Sequence, residues 1–305
     1  MNGFSEDNQR DRPQSNDAPL RLRFTLLVRS WASPSSLAIV HRVSGIGSIA
    51  LALAAVGLVF YFSHSWTDDG SYRTDVGGFQ RVPLSDGSII ELNTDTRMVV
   101  QFRPESRQVE LLQGEALFTV AKDVKRPFDV MADGTTVRAV GTAFTVRLYE
   151  PGHVNVLVTE GAVKVSNRHP TKTPASAADQ IERTYDVPAG LSADIMGEDV
   201  AIARSGEMEE SKRLAWREGW LKFEGDSLTE VVDSFNRYNR QKLVIGDPEI
   251  AGMQIGGQFP TTGVEAFLEA WTGQGRFGMQ GRAVRRESGG SGSGVVVLYG
   301  PAGRE

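Results

Sequence analysis

The side chains able to do chemistry in this 305-residue chain are few, and their spacing suits no reaction. Its four histidines, His41, His64, His153 and His169, are scattered without the spacing of a metal-ligand set. There are no cysteines, which removes disulfides and cysteine zinc sites together. Isolated Ser, His and Asp residues occur in any chain of this length, and here they form no nucleophile–base pattern. The glycine-rich run at residues 289–294 lacks the Lys-Ser/Thr pair and the following helix of a phosphate cradle, so it reads as a hairpin loop. The expectation is a protein without turnover, metal or cofactor. A net charge of −5 and a pI near 5.6 supply no basic stripe for phosphates, which argues against a nucleic-acid binder.

What the elements position is therefore a surface, and the first element is apolar. A run of twenty uncharged residues begins at Val43 and ends at Phe62. At about 1.5 Å per residue such a helix spans the roughly 30 Å hydrocarbon core of a bilayer. Arg21, Arg23, Arg29 and Arg42 precede it without any acidic residue between positions 20 and 42, whereas Asp68 and Asp69 follow it. Basic flanks stay inside, so residues 1–42 are expected to be a short cytoplasmic segment and residues 43–62 a transmembrane helix, with the rest outside. Forty-two residues ahead of the run are too many for a signal peptide, and Gly45, Gly47 and Gly57 suit a soluble amphipathic helix poorly.

Residues 72–203 carry a period-two rhythm. Met98, Val100 and Phe102 alternate with Val99 and Gln101; Val154, Val156 and Val158 alternate likewise, then Val163 and Val165 around Lys164. Asp86-Gly87, Gln113-Gly114, Asp133-Gly134 and Glu160-Gly161 punctuate them as hairpin signals. An all-β domain follows, either a sandwich or a short solenoid. Residues 168–179, rich in Pro, Ala, Ser and Thr, read as an exposed loop.

From residue 206 to 300 the rhythm changes. Ser227-Leu228-Thr229-Glu230 is a capping box that opens a helix with Leu228, Val231, Val232, Phe235 and Tyr238 on one face. Thr262 and Glu265 form a second such pair, followed by the stripe Val264, Phe267, Leu268 and Trp271. With strands at residues 220–223, 242–245, 253–259, 276–285 and 295–299, the order is β-α-β-β-α-β-β, a small α+β domain with two capped helices on one sheet.

Several of these motifs are familiar. Val82-Pro83-Leu84-Ser85-Asp86-Gly87-Ser88 with Glu91-Leu92-Asn93, Gly114-Glu115-Ala116-Leu117-Phe118, Arg126-Pro127-Phe128 and Gly141-Thr142-Ala143-Phe144 resemble the FecR family of transmembrane sigma-factor regulators. Trp216-Arg217-Glu218-Gly219 and Phe235-Asn236-Arg237-Tyr238 are similar to the family's C-terminal region, itself like the short N-terminal domain of secretins and TonB-dependent receptors. The family's cytoplasmic helical domain is usually longer than the segment available here, of which Arg29-Ser30-Trp31 would be part.

The resemblance implies an inner-membrane protein with its C-terminal domains in the periplasm. Its partners would be the periplasmic signalling domain of a TonB-dependent outer-membrane receptor, an extracytoplasmic-function sigma factor and membrane proteases. Iron-siderophore uptake is the implied process, and an envelope scaffold or export-complex component is the alternative. In some members the Gly-Thr bond matching Gly141-Thr142 cleaves itself through the threonine hydroxyl; otherwise Gly141 serves a strand bend and Thr142 β propensity. Trp216, at the hinge between the two blocks, is the candidate for partner binding.

Overall fold

Residues 53, 55, 68–167, 183–273, 281–286 and 294–301 are described in the computed structural model. The expected membrane span lies outside the described residues except Leu53 and Ala55, which are helical and exposed. The cytoplasmic segment, the loop at 168–179 and nearly all of the 289–294 run also lie outside them. Among the described residues no helix is long and apolar enough to cross a membrane.

The first lobe holds β1 (Asp69–Arg73), β2 (Gln80–Pro83), β3 (Ile89–Leu92), β4 (Arg97–Arg103), β5 (Ser106–Thr119), β6 (Phe128–Ala132) and β7 (Thr135–Ala139). It continues with β8 (Ala143–Glu150), β9 (His153–Glu160), β10 (Ala162–Asn167), β11 (Arg183–Pro188), β12 (Leu191–Met196) and β13 (Asp199–Arg204). One sheet runs β1-β4-β5-β6-β7-β10-β11 and the other β2-β3-β5-β8-β9-β12-β13. All pairs are antiparallel except β5 with β6. Of the two architectures open to the sequence, the lobe is a sandwich. Phe102 and Phe128 of one sheet meet Phe118 and Phe144 of the other, with ring centroids 5.2–6.0 Å apart along the chain of contacts.

β5 belongs to both sheets because of one bend. Before it, Val109 and Leu111 face the core; after it, Ala116 and Phe118 do. Opposite β4, Arg97 pairs with Gln113 but Met98 with Leu111, leaving exposed Leu112 as the extra residue of a bulge. Such an insertion moves the inward set by one position. Gly114 makes the turn possible at φ +88°, where a Cβ would come within 2.7 Å of the Asp95 carbonyl oxygen. Gln113-Gly114 is therefore a corner and not the hairpin its composition suggested. Glu160-Gly161 also links strands of different sheets, β9 and β10. Asp86-Gly87 and Asp133-Gly134 do close hairpins.

The second lobe contains α1 (Glu207–Leu214), a 3-10 turn (Ala215–Glu218), β14 (Trp220–Ser227), α2 (Leu228–Tyr238) and β15 (Lys242–Ile245). After a 3-10 turn at Pro248–Ile250 come β16 (Gln254–Pro260), α3 (Val264–Trp271), β17 (Arg282–Arg286) and β18 (Val295–Tyr299). From β14 onward the elements follow the β-α-β-β-α-β-β order, after the unexpected helix α1 and with residues 276–280 of the expected strand outside the described ones. The strands form two sheets rather than one: β14-β16, and β15-β18-β17 with β15 parallel to β18. The capping box of α2 is complete, with Ser227 and Glu230 bonded reciprocally. That of α3 is not formed; Gly263 is the N-cap and no side chain caps it. Leu228, Val231, Phe235, Phe267 and Trp271 build the core of this lobe, and Leu117 of β5 packs into it. The described residues from 68 onward thus form one compact unit whose lobes share buried surface.

Candidate functional site

The shared surface is polar at its centre. Glu115 follows the β5 bend and is turned out of the sandwich core, toward the second lobe. Its side chain is 4% exposed, and Arg237 in the last turn of α2 donates from Nη1 to its Oε2 at 2.6 Å. Asn93 donates from Nδ2 to the same oxygen at 3.0 Å and to the Tyr238 hydroxyl at 2.9 Å. An arginine here also suits the partial negative charge at the C-terminal end of α2. At the rim, Arg217 Nε donates to Glu91 Oε2 at 2.6 Å, and Arg213 of α1 donates to the Asn155 side-chain oxygen. Phe79 completes the seam by stacking on Trp216 (6.0 Å, 9°) and Tyr238 (6.1 Å).

Charge is unevenly matched here. Burial pushes the Glu115 carboxyl up, but the charges of Arg237 and Arg147, with the hydrogen bond from Arg237, hold it below its ordinary 4.5. Arg147 of β8 stands opposite Glu115 in register, yet its side chain makes no hydrogen bond or salt bridge with the described residues. Its guanidinium lies over the Tyr149 ring, 3.9 Å from the centroid. Burial, then repulsion from Arg237, pull its pKa below the ordinary arginine value. Burial also drives the Tyr238 phenol up, keeping it a neutral hydrogen-bonding group. A cavity of about 360 Å³ opens beside these residues.

Trp216, read as a partner contact, stands at the hinge but is 5% exposed, and its indole N–H has no acceptor among the described residues. To touch a partner it must first leave the seam; Trp220 is the more exposed tryptophan, at 37%. Gly141 and Thr142 lie between β7 and β8, on the sandwich. Gly141 has φ +150°, and a Cβ there would come within 3.1 Å of the Lys122 backbone. Thr142 is buried, its carbonyl accepts from Val120 N at 2.9 Å, and its hydroxyl has no partner among the described residues. Thr135 and Thr145 share that last property, so an unpaired hydroxyl alone does not mark a nucleophile. Among the described residues no group of three or more His, Cys, Asp or Glu could hold a metal.

Sequence reasoning missed the seam itself. Its members come from motifs in both halves, Asn93 and Gly114-Glu115 from one and Trp216-Arg217 and Arg237-Tyr238 from the other. The available signal was polar residues placed where strand or helix periodicity turns inward, as at Glu115.

Residues 70–164 match the family described as FecR protein, so the chain carries a FecR domain that occupies most of the sandwich. No curated protein matches the chain. Two solved structures are similar, both of candidate anti-sigma factors from Parabacteroides distasonis ATCC 8503. One is 25% identical with a TM-score of 0.57, over 76% of this chain and 100% of that one. The other, at 23% identity and a TM-score of 0.54 over 77% of this chain and 100% of that one, shows the shared fold. The likeness reaches well past the FecR match into the second lobe.

Proposed function

We propose that the chain is a single-pass regulator of an extracytoplasmic-function sigma factor. Residues 43–62 anchor it in a bacterial inner membrane, with the N-terminus cytoplasmic and the two-lobed unit periplasmic. The observation that carries this reading is a FecR domain locked to a second lobe, in a fold shared over 76% of the chain with a candidate anti-sigma factor. The signal comes from the periplasmic signalling domain of a TonB-dependent receptor, within iron-siderophore uptake, and membrane proteases release the cytoplasmic piece. No turnover is asked of the chain.

The docking element in this reading is the β15-β18-β17 sheet. Val244 and Val284, 45% and 42% exposed, flank Val297 in register and make an apolar row across three strands. An added strand on this sheet would gain main-chain hydrogen bonds while the row sets specificity. The double variant Val244→Asp, Val284→Asp should lose pull-down of the receptor's signalling domain and uncouple ligand from transcription. Reporter fusions after Ser71 should read periplasm in the same strain. Undiminished pull-down refutes the docking site, and a cytoplasmic reading at Ser71 refutes the topology.

Self-cleavage at Gly141–Thr142 belongs to the same reading. The Thr142 hydroxyl attacks the Gly141 carbonyl carbon, the peptide C–N bond breaks, and the hydroxyl proton ends on the freed Thr142 amine. Water then opens the resulting ester. A backbone restricted to glycine and a buried, unpaired hydroxyl support it. Mass spectrometry of the purified chain should find two associated fragments in the wild type and one intact chain in Thr142→Ala; an intact wild type refutes the step.

A further inference from the structure

We propose that the cavity between the lobes, faced by Arg147, Arg213 and Arg237, binds a small anion bearing a carboxylate or phosphate group and thereby fastens the lobes together. The proposal stands whether or not the chain regulates a sigma factor.

Three guanidinium groups converge on a single buried carboxylate. Arg147, Arg213 and Arg237 all act electrostatically on Glu115, and only Arg237 is bonded to it. Arg147 feels Glu115 across the β5–β8 ladder but forms no salt bridge among the described residues, and it is repelled by Arg237. Three like charges gathered around one counter-charge in a half-covered site raise the local affinity for an anion. Guanidinium groups present paired donors that match carboxylate and phosphate oxygens.

Two further observations point the same way. Arg237 Nη2 and Trp216 Nε1 are buried donors without acceptors among the described residues, and both residues line this cavity. Buried N–H groups are nearly always paired in folded proteins, so two orphans on residues lining one cavity favour an acceptor reached by a small side-chain shift. The other charged neighbours do not fill that role. Glu230 at the rim is occupied by Ser227, Lys212 is paired with Asp226, and Asp233 is exposed. About 360 Å³ lies at the small end of ligand-site volumes, which suits a small polyanion better than a folded partner.

The site is also built from both lobes. Arg147 lies on β8 of the sandwich, while Arg213 and Arg237 lie on α1 and α2. An anion held by all three would bind only the closed arrangement and would stabilise it by mass action.

The test uses the full-length chain in detergent, with Trp216 and Trp220 at the cavity as fluorescent reporters. Inorganic phosphate and citrate are titrated separately, against sodium chloride at equal ionic strength. One or both should give a saturable fluorescence change with a rise in melting temperature and slower amide exchange around Tyr238. Which of the two does so identifies the anion as phosphate-like or carboxylate-like. Arg147→Gln should weaken the apparent affinity by about tenfold or more, while exposed Arg103→Gln leaves it unchanged. If Arg147→Gln does not fold, Arg213→Gln replaces it. A response that sodium chloride reproduces, no response to either anion, or full affinity in the cavity variant each overturns the proposal.

Discussion

Arg107 in the sandwich and Arg237 in the seam are both arginines set against one carboxylate, and their surroundings differ in completeness. Arg107 is fully buried, and Asp86 accepts from its Nη1 at 2.7 Å. The carbonyls of Arg126 and Ala121 accept at 2.7 and 3.0 Å, and Ser88 holds Asp86 from the other side. The Phe128 ring lies 5.5 Å from the guanidinium carbon. The family-like residues Asp86, Ser88, Arg126 and Phe128 thus form a closed knot. In the seam, Arg237 keeps one nitrogen unpaired among the described residues, and Arg147 faces Glu115 there without a salt bridge. A satisfied buried network specifies a shape, whereas one with surplus donors is poised to accept something.

The largest effect should come from breaking the closed knot. Arg107→Met leaves the Asp86 charge buried without its counter-charge and should destabilise the sandwich by about 3–5 kcal/mol, read from chemical denaturation. A loss under ~1 kcal/mol would mean that the knot is dispensable and holds the sandwich no better than a surface ion pair.

Glu115→Gln should cost less, about 1.5–3 kcal/mol, because it removes one charge-assisted contact across the seam. It should also split a single unfolding transition into two as the lobes part. The folded pKa of Glu115 lies below its unfolded value, so its contribution is complete above about pH 4.5 and is lost as pH falls through the folded value. The stability gap between wild type and Glu115→Gln should therefore be constant at neutral pH and close in acid. A gap that widens in acid would contradict the sign.

Arg147→Gln should have the smallest effect. It relieves repulsion from Arg237, gives up attraction to Glu115 and breaks no hydrogen bond, so the two effects offset and stability should shift by no more than about 0.5 kcal/mol in the absence of a bound anion. A thermal melt showing a loss as large as that of Glu115→Gln would make Arg147 a structural member of the seam.

The sequence revealed elements more readily than their assembly. Helix α2 was legible because its cap and apolar stripe are both local, and β4 because its burial alternates cleanly. Helix α1 was not foreseen, since none of its residues is buried and it has no stripe to detect. Gln113-Gly114 was misread because a glycine at positive φ serves a sheet corner as well as a hairpin. The split of the second lobe into two sheets depends on which strands pair, which alternation does not encode. The seam was hidden for a similar reason: Glu115 and Arg237 are 122 residues apart, and Asn93 and Tyr238 are 145 apart.

The bend in β5 also bears on how the chain is made. Its partners β3 and β4 are synthesised before it, but β6 and β8 come after, the last ending at Glu150. At about 5–20 residues per second, roughly two to six seconds separate Thr119 from Glu150 on the ribosome. During that interval the second half of β5 has β3 on one side and an open edge on the other, a template for pairing with any other nascent strand. A ribosomal pause placed between β6 and β8 should therefore lower soluble yield more than the same pause placed after β9.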